Sequence, residues 1–398
     1  MHVPQGMEEK YGCKVVLLLL KTIYGLKQAA FRFWLFLLTI VKQLQHQRSK
    51  ADPCLYYRWT DTGALLLWMS WVDDCFITGP ETELLKLKHE IMDAVDCDDG
   101  GELSKYVGCK IDQDKLCCTL KFTQPVLLQS FKDEFETAGS EMPNTPGTPL
   151  KALQLGDQPP VEGKRQTYYR SGVGKLMHLK RWSRPEMNNA VRDLSRYNSN
   201  GSEEHIQAMH QAMRYALSTP ERGLTLAPTA EWNGSPEFEF TIWGAADASY
   251  RPYNDTDRSV GGHAVFLNDA PIAEKSSIHQ YTNLSITEAE LGSGTACVQD
   301  MLFSMRVLES IGLEVKKPMK IYIDNKGAVD YINNWSTGGR MRHVSVRLSF
   351  LRELKEAKII EVIWCKSEDM PADLFTKNLP GPLFNTHTTV FCGQDKYG

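Results

Sequence analysis

The chain has 398 residues, 42% of them hydrophobic and 24% charged, with 29 Gly and 19 Pro. That length is enough for two or three domains with sizeable cores, and the composition excludes disordered, collagen-like and coiled-coil chains. A formal net charge of −4 gives no overall bias toward nucleic acid, although a total hides local patches.

The ten cysteines have no CxxC spacing, so neither a zinc site nor a disulfide framework is expected. Free thiols in a reducing compartment fit a chain of this size. The longest apolar run near the start, Val15–Leu20, falls short of the roughly 18–20 residues that a membrane span needs. The first residues, Met1-His2-Val3-Pro4-Gln5-Gly6, lack a basic region followed by an apolar stretch. An intracellular protein that is not secreted and has no membrane partner is expected.

In chain order, the apolar periodicity predicts a helix over Ala30–Gln45 and a strong strand over Ala64–Val72. A helix over Glu81–Val95 follows, then short strands near Tyr106–Ile111 and Cys117–Phe122. From Gly139 to Gly163 five prolines (Pro143, Pro146, Pro149, Pro159, Pro160) mark a linker or long surface loop. Residues 164–217 read as helical, and Ser218–Pro236 loosens again. Strand-like segments Phe238–Ala245 and Gly262–Leu267 then precede a long helical pattern, Thr287–Ile311. A strand Met319–Ile323, a helix Met341–Ala357 and a strand Ile359–Cys365 complete the pattern. This order predicts an α/β fold with helices on a mixed sheet.

Four acids stand out by placement. Asp247 closes a strand, Glu290 lies on the long helix, Asp324 ends Lys320-Ile321-Tyr322-Ile323, and Asp373 opens a short helical segment. α/β sheets place their ligands at the carboxyl ends of strands. Clustered carboxylates repel one another unless a cation neutralises them, and hard oxygen donors suit Mg²⁺ or Mn²⁺. Spacing alone does not bring the four together; each on its own reads equally as a cap or a surface acid.

Five ordered motifs in the last region resemble the RNase H domain of copia-type LTR retrotransposon Pol polyproteins. They are Ala246-Asp247-Ala248-Ser249, Ser285-Ile286-Thr287-Glu288-Ala289-Glu290, Tyr322-Ile323-Asp324-Asn325-Lys326-Gly327-Ala328, Arg342-His343-Val344, and Ala372-Asp373-Leu374-Phe375-Thr376-Lys377. The resemblance implies that Asp247, Glu290, Asp324 and Asp373 are catalytic acids holding two Mg²⁺ (or Mn²⁺) ions. It also implies an RNA–DNA hybrid as substrate. Glu288 competes with Glu290, which is preferred because Leu291 matches the apolar position after the family's acid. The chain departs from the pattern in three places. No His lies in the loop Cys365–Met370, where Glu368 or Asp369 could stand in. Gly292 and Gly294 interrupt the helix, and Ser345 replaces the usual Asp.

The first region resembles the reverse transcriptase of the same polyproteins. The matches are Thr22-Ile23-Tyr24-Gly25-Leu26-Lys27-Gln28-Ala29-Ala30, Ser49-Lys50-Ala51-Asp52-Pro53-Cys54-Leu55-Tyr56, Trp71-Val72-Asp73-Asp74 and Gly101-Glu102-Leu103-Ser104-Lys105-Tyr106-Val107-Gly108. Asp73 and Asp74 are the implied palm carboxylates, with Trp71 in place of the family's Tyr. The family's first palm Asp falls upstream of Val3-Pro4-Gln5-Gly6, so an inactive polymerase region is expected in this chain.

The middle resembles the connecting segment through Tyr169–His178, Ser183-Arg184-Pro185-Glu186 and Glu203-Glu204-His205. Between Lys164 and Arg196 nine Lys/Arg face two acids, with Tyr168, Tyr169 and Trp182 interleaved. That composition fits either a nucleic-acid groove or a solvated helix face over core aromatics. A second basic cluster runs from Arg340 to Lys358. The expected nucleic-acid contacts are Lys27, Gln28, Lys175, Arg181, Arg184, Arg342 and His343.

The resulting organisation is a partial palm and thumb (1–138), a linker with helical connecting segment (139–235), an RNase H-like mixed five-stranded sheet flanked by helices (236–385) and a tail (386–398). A cytoplasmic (virus-like particle) or nuclear setting is implied, and no oligomeric state follows from the sequence.

Overall fold

A computed structural model describes residues 5, 7–11, 15–16, 18–20, 22–23, 25–137, 139, 142–334 and 345–393. The chain divides into two compact units, Met1–Gly100 and Gly101–Gly398.

The first unit builds helix α1 (Ala29–Gln43), antiparallel strands β1 (Leu55–Trp59), β2 (Leu65–Trp71) and β3 (Asp74–Thr78), and helix α2 (Glu81–Ala94). One face of α1 (Leu37, Ile40, Val41) packs with Tyr56 and Trp68 of the sheet. Alternation along β2 buries Leu66 and Trp68 and leaves Met69 and Trp71 exposed.

In the second unit β4 (Cys109–Asp114) and β5 (Thr119–Thr123) form a hairpin, followed by α3 (Pro125–Glu134). Three helices follow, α4 (Gly163–Trp182), α5 (Asn188–Ser195) and α6 (Glu203–Ser218), then strand β6 (Leu224–Leu226), which pairs with β5. The central sheet comprises β7 (Ile242–Ser249), β8 (Arg258–Leu267) and β9 (Ala270–Thr282). Helix α7 (Ile286–Ser310) leads to β10 (Met319–Ile323), α8 (Lys326–Asn333), α9 (Ser345–Glu356), β11 (Ile360–Trp364) and α10 (Gly381–Cys392).

The sheet order is β9-β8-β7-β10-β11. The first three strands are antiparallel, and β10 and β11 are parallel to β7. This is the mixed five-stranded α/β sheet that the resemblance implied. Both faces are covered, so β7 is an apolar run with no polar alternation. On one side Ala246, Ile321 and Ile323 meet Leu291, Val298 and Met301 of α7. On the other, Ala245, Ala264 and Phe266 join Phe375, Phe391 and the apolar faces of α4 to α6 in one core.

Several expectations are corrected here. By packing, residues 101–137 go with the second unit, because β5 pairs with β6 and α3 contributes Leu128 and Phe131 to its core. The proline-rich stretch is no free linker. Its Leu150 N–H donates to Asn378 O at 2.7 Å, Leu153 N–H to Asp193 at 3.2 Å, and Val161 N–H to Gly201 O at 2.8 Å. The tail expected from residue 386 is helix α10, whose Phe391 and Cys392 are buried. Strand β9 carries no clean alternation and went unrecognised in the sequence; its pairing with β8 defines it.

Candidate active site

The acids are assembled by three kinds of local structure. Asp247 sits near the carboxyl end of β7, and Asp324 directly follows the parallel neighbour β10. Parallel strands put both at one edge of the sheet. Asp373 lies in the 3₁₀ turn Pro371–Phe375. One carboxylate oxygen from each of these three lies within 4.8 Å of the others, with Asp247 and Asp373 buried and Asp324 half-buried.

Glu290, in the second turn of α7, joins them from the helix side. It is 3% exposed, and its Oε2 has no hydrogen-bond partner. Burial holds its carboxyl well above the usual range, and the charges of Asp247 and Asp324 push it further. Burial and Asp247 likewise raise Asp373, to about 8, and Asp324 is raised for the same two reasons. Four hard oxygen donors, one of them an orphaned buried atom, are what a divalent cation would complete. The residues therefore fit Mg²⁺ or Mn²⁺.

The geometry separates Glu288 from Glu290. Ser285 caps α7 by accepting from Glu288 N–H at 3.1 Å, and Glu288 Oε2 reaches back to accept from Leu284 N–H at 2.6 Å. Glu288 is thus part of the helix start, whereas Glu290, two residues on, turns toward the sheet. The Ser-x-x-Glu spacing was the signal that could have assigned it.

Three residues not picked out beforehand complete the site. Thr376 donates its hydroxyl to Asp247 Oδ2, and Ser367 donates to Asp324 Oδ2 at 2.8 Å. Lys377 reaches both Asp373 Oδ1 (2.9 Å) and Asp247 Oδ1 (3.2 Å). Thr376-Lys377 closes the last motif, which was the available hint. Glu368 and Asp369 are exposed in the preceding loop. Trp364, at the end of β11, is 39% exposed beside the acids, its indole N–H donating to Asp324 O at 2.9 Å.

Asp73 and Asp74 lie at the tip of the β2–β3 hairpin in the first unit, both exposed. The turn places Val72 at φ +56°, a region costly for a β-branched residue. Lys27 and Gln28 are exposed just before α1.

Two of the nine basic residues of the middle, Arg184 and Arg192, are buried, which takes Arg184 out of the contact set. Arg184 is 1% exposed; its guanidinium pairs with Glu186 at 2.6 Å and donates to Thr219. It therefore cannot meet a phosphate at the surface. Lys175 is tied to Glu134 at 2.6 Å, and Tyr169 is fully buried. Arg192 pairs with Asp193 inside the core. Lys164, Arg170 and Arg181 remain exposed. Arg342 and His343 lie outside the described residues, as do Arg340 and Tyr24.

A mixed sheet with carboxylates gathered at its parallel carboxyl edge defines an RNase H-like class of fold. Residues 1–149 match the family described as reverse transcriptase (RNA-dependent DNA polymerase). Over 389 residues the chain is 27% identical to the retrovirus-related Pol polyprotein from transposon TNT 1-94 of Nicotiana tabacum, covering 96% of this chain and 28% of that one. Against the retrovirus-related Pol polyprotein from transposon RE1 of Arabidopsis thaliana the identity is again 27%, over 96% of this chain and 25% of the relative. Among solved structures, the N-terminal RNase H domain of a Mycobacterium tuberculosis protein, fused to maltose binding protein, aligns over 38% of this chain and 98% of its own. The identity there is 13% and the TM-score 0.27, too slight a likeness to bear on the fold.

The chain is thus similar along 96% of its length to these retrotransposon Pol polyproteins, with the reverse-transcriptase match confined to residues 1–149. It spans about a quarter of the length of these two relatives. Among the described residues no helix is long and apolar enough to cross a membrane.

Proposed function

We propose that the second unit is a metal-dependent endoribonuclease that hydrolyses the RNA strand of RNA–DNA hybrids. Asp247, Glu290, Asp324 and Asp373 hold two Mg²⁺ (or Mn²⁺) ions. The observation that carries the reading is the convergence of Asp247, Asp324 and Asp373 within 4.8 Å, with the orphaned, buried Glu290 near Asp247 and Asp324. When bound, such ions lower the pKa of a water and neutralise charge on the attacking and leaving oxygens of an in-line displacement.

The chain's own residues supply position and charge. β7 and β10 hold Asp247 and Asp324 rigidly, since both strands are hydrogen-bonded on either side. Thr376 and Ser367 fix the rotamers of those two carboxylates. Trp364 stands beside the acids with the Lys326 ammonium 4.5 Å from its ring centroid, a cation and an aromatic edge offered together to a nucleic-acid strand. Arg181 remains a phosphate contact in this reading. The products are a 5′-phosphate and a 3′-hydroxyl. An intracellular setting goes with a hybrid substrate.

The reaction is assigned to the second unit. Two-metal nucleotidyl transfer takes acids from more than one palm strand.

The test is cleavage of labelled RNA–DNA hybrid with Mg²⁺ or Mn²⁺, beside Asp324→Asn. Cleavage with 5′-phosphate ends, lost in the variant, is expected. No cleavage above the variant sinks the reading.

A further inference from the structure

Lys377 follows Asp373 by four residues, and its ammonium enters the acid cluster. Nζ lies 2.9 Å from Asp373 Oδ1 and 3.2 Å from Asp247 Oδ1. The carboxylates are 5% and 1% exposed, but the lysine side chain is 38% exposed. The charge therefore arrives from the solvent side on a flexible four-carbon stem.

The consequence lies in which oxygens are taken. Asp247 has a protein donor on each: Thr376 on Oδ2 and Lys377 on Oδ1. A divalent ion coordinated through Asp247 Oδ1 comes up against the Lys377 ammonium, and the two like charges repel at short range. Thr376 is 3% exposed and held in the core, while Lys377 has solvent to move into. The site thus has two unlike halves. On the Glu290 side, Oε2 has no partner. On the Asp247–Asp373 side, an ammonium stands on oxygens that a divalent ion would need at about 2.0–2.2 Å.

We propose that Lys377 is a built-in counter-cation. It neutralises the buried acids before metal arrives, and it must withdraw from the Asp247–Asp373 pair for the site to take its second divalent ion. This inference rests on the metal-site reading above. It predicts a site that binds its first ion readily and its second weakly, with Lys377 setting the difference.

The test counts bound Mn²⁺ by electron paramagnetic resonance on the full chain, wild type beside Lys377→Met, Lys377→Arg and Asp324→Asn. Lys377→Met is expected to take up its second Mn²⁺ about tenfold more tightly than wild type, since a like charge at contact distance is gone. Its melting temperature in EDTA should fall below wild type, and Lys377→Arg should retain wild-type behaviour in both. If Lys377→Met does not fold in EDTA, it is refolded with Mn²⁺ and its ions counted by chelator back-titration, the same tenfold gain being required. Unchanged or weaker binding in Lys377→Met, with binding lost in Asp324→Asn, overturns the counter-cation and leaves the metal site standing. Wild-type binding in Asp324→Asn overturns the metal-site reading itself, and the counter-cation with it.

Discussion

Glu288 and Glu290 stand two residues apart on one helix and face different tasks. Glu288 bonds the backbone of Leu284 at 2.6 Å, whereas Glu290 is buried against Asp247 and Asp324. Glu288→Ala removes half of a reciprocal cap and should cost about 1 kcal/mol of stability. Mn²⁺ binding should be unchanged. Urea unfolding and a metal titration check the two halves; lost metal binding would move the ligand assignment to Glu288.

Glu290→Gln is the opposite case. The neutral amide relieves repulsion among buried carboxylates, and its NH₂ can donate to them. In EDTA the melting temperature should rise by a few degrees, on the order of 1 kcal/mol. Metal-induced stabilisation should shrink. A variant less stable than wild type in EDTA would show that Glu290 is not held under repulsion.

Gly292, one of the two helix-interrupting glycines, is needed where α7 passes β9. A Cβ there would stand 2.5 Å from Tyr281 Oη and 3.1 Å from His279. Tyr281 is pinned between His279, with ring centroids 5.5 Å apart, and Arg347 at 4.1 Å. Gly292→Ala gains about 1 kcal/mol of helix propensity but overpacks by roughly 1–3 kcal/mol, so net destabilisation is expected. Adding Tyr281→Phe should recover part of it; strict additivity in that cycle would refute the contact.

Arg184 and Arg181 are three residues apart and should respond oppositely. Arg184→Met leaves Glu186 as an unpaired charge in the core, a loss of about 3–5 kcal/mol. Arg181→Ala should change stability by less than about 0.5 kcal/mol. It should instead flatten the salt dependence of hybrid binding, by about one unit per phosphate contact. An unchanged slope would remove Arg181 from the contact set.

Glu274 on β9 gives the pH dependence. Burial raises its carboxyl to about 7, opposed by Arg181 and Lys180. The folded state then holds a proton that the unfolded chain releases near 4.5, so stability falls as pH rises from about 4.5 to 7. Glu274→Gln should stabilise the protein at pH 8 and leave it unchanged near pH 4. Melting curves at the two values decide it, and equal effects at both would contradict the shift.

Much of the architecture was readable from local pattern. Apolar periodicity placed Glu81–Ala94, Met319–Ile323 and Ile360–Trp364 to within a residue or two, because a packed face repeats at the period of its element. The ordered motifs carried the resemblance and nominated the four acids, since each sits at a fixed place relative to a strand or helix end. Strand β9 and helix α10 escaped, because their definition comes from partners and not from their own periodicity.

Tertiary structure alone decided which charges are surface and which are core. Arg181 and Arg184 look alike in a basic run, yet one is exposed and the other is buried on Glu186. Lys377 reads as the end of a motif until the 3₁₀ turn carries its ammonium onto Asp247, 130 positions earlier in the chain. Sequence determines residue type and local period. Whether a charge meets water, a phosphate or a buried counter-charge depends on partners distant in the chain, and only the folded packing brings those within the few ångströms over which such interactions act.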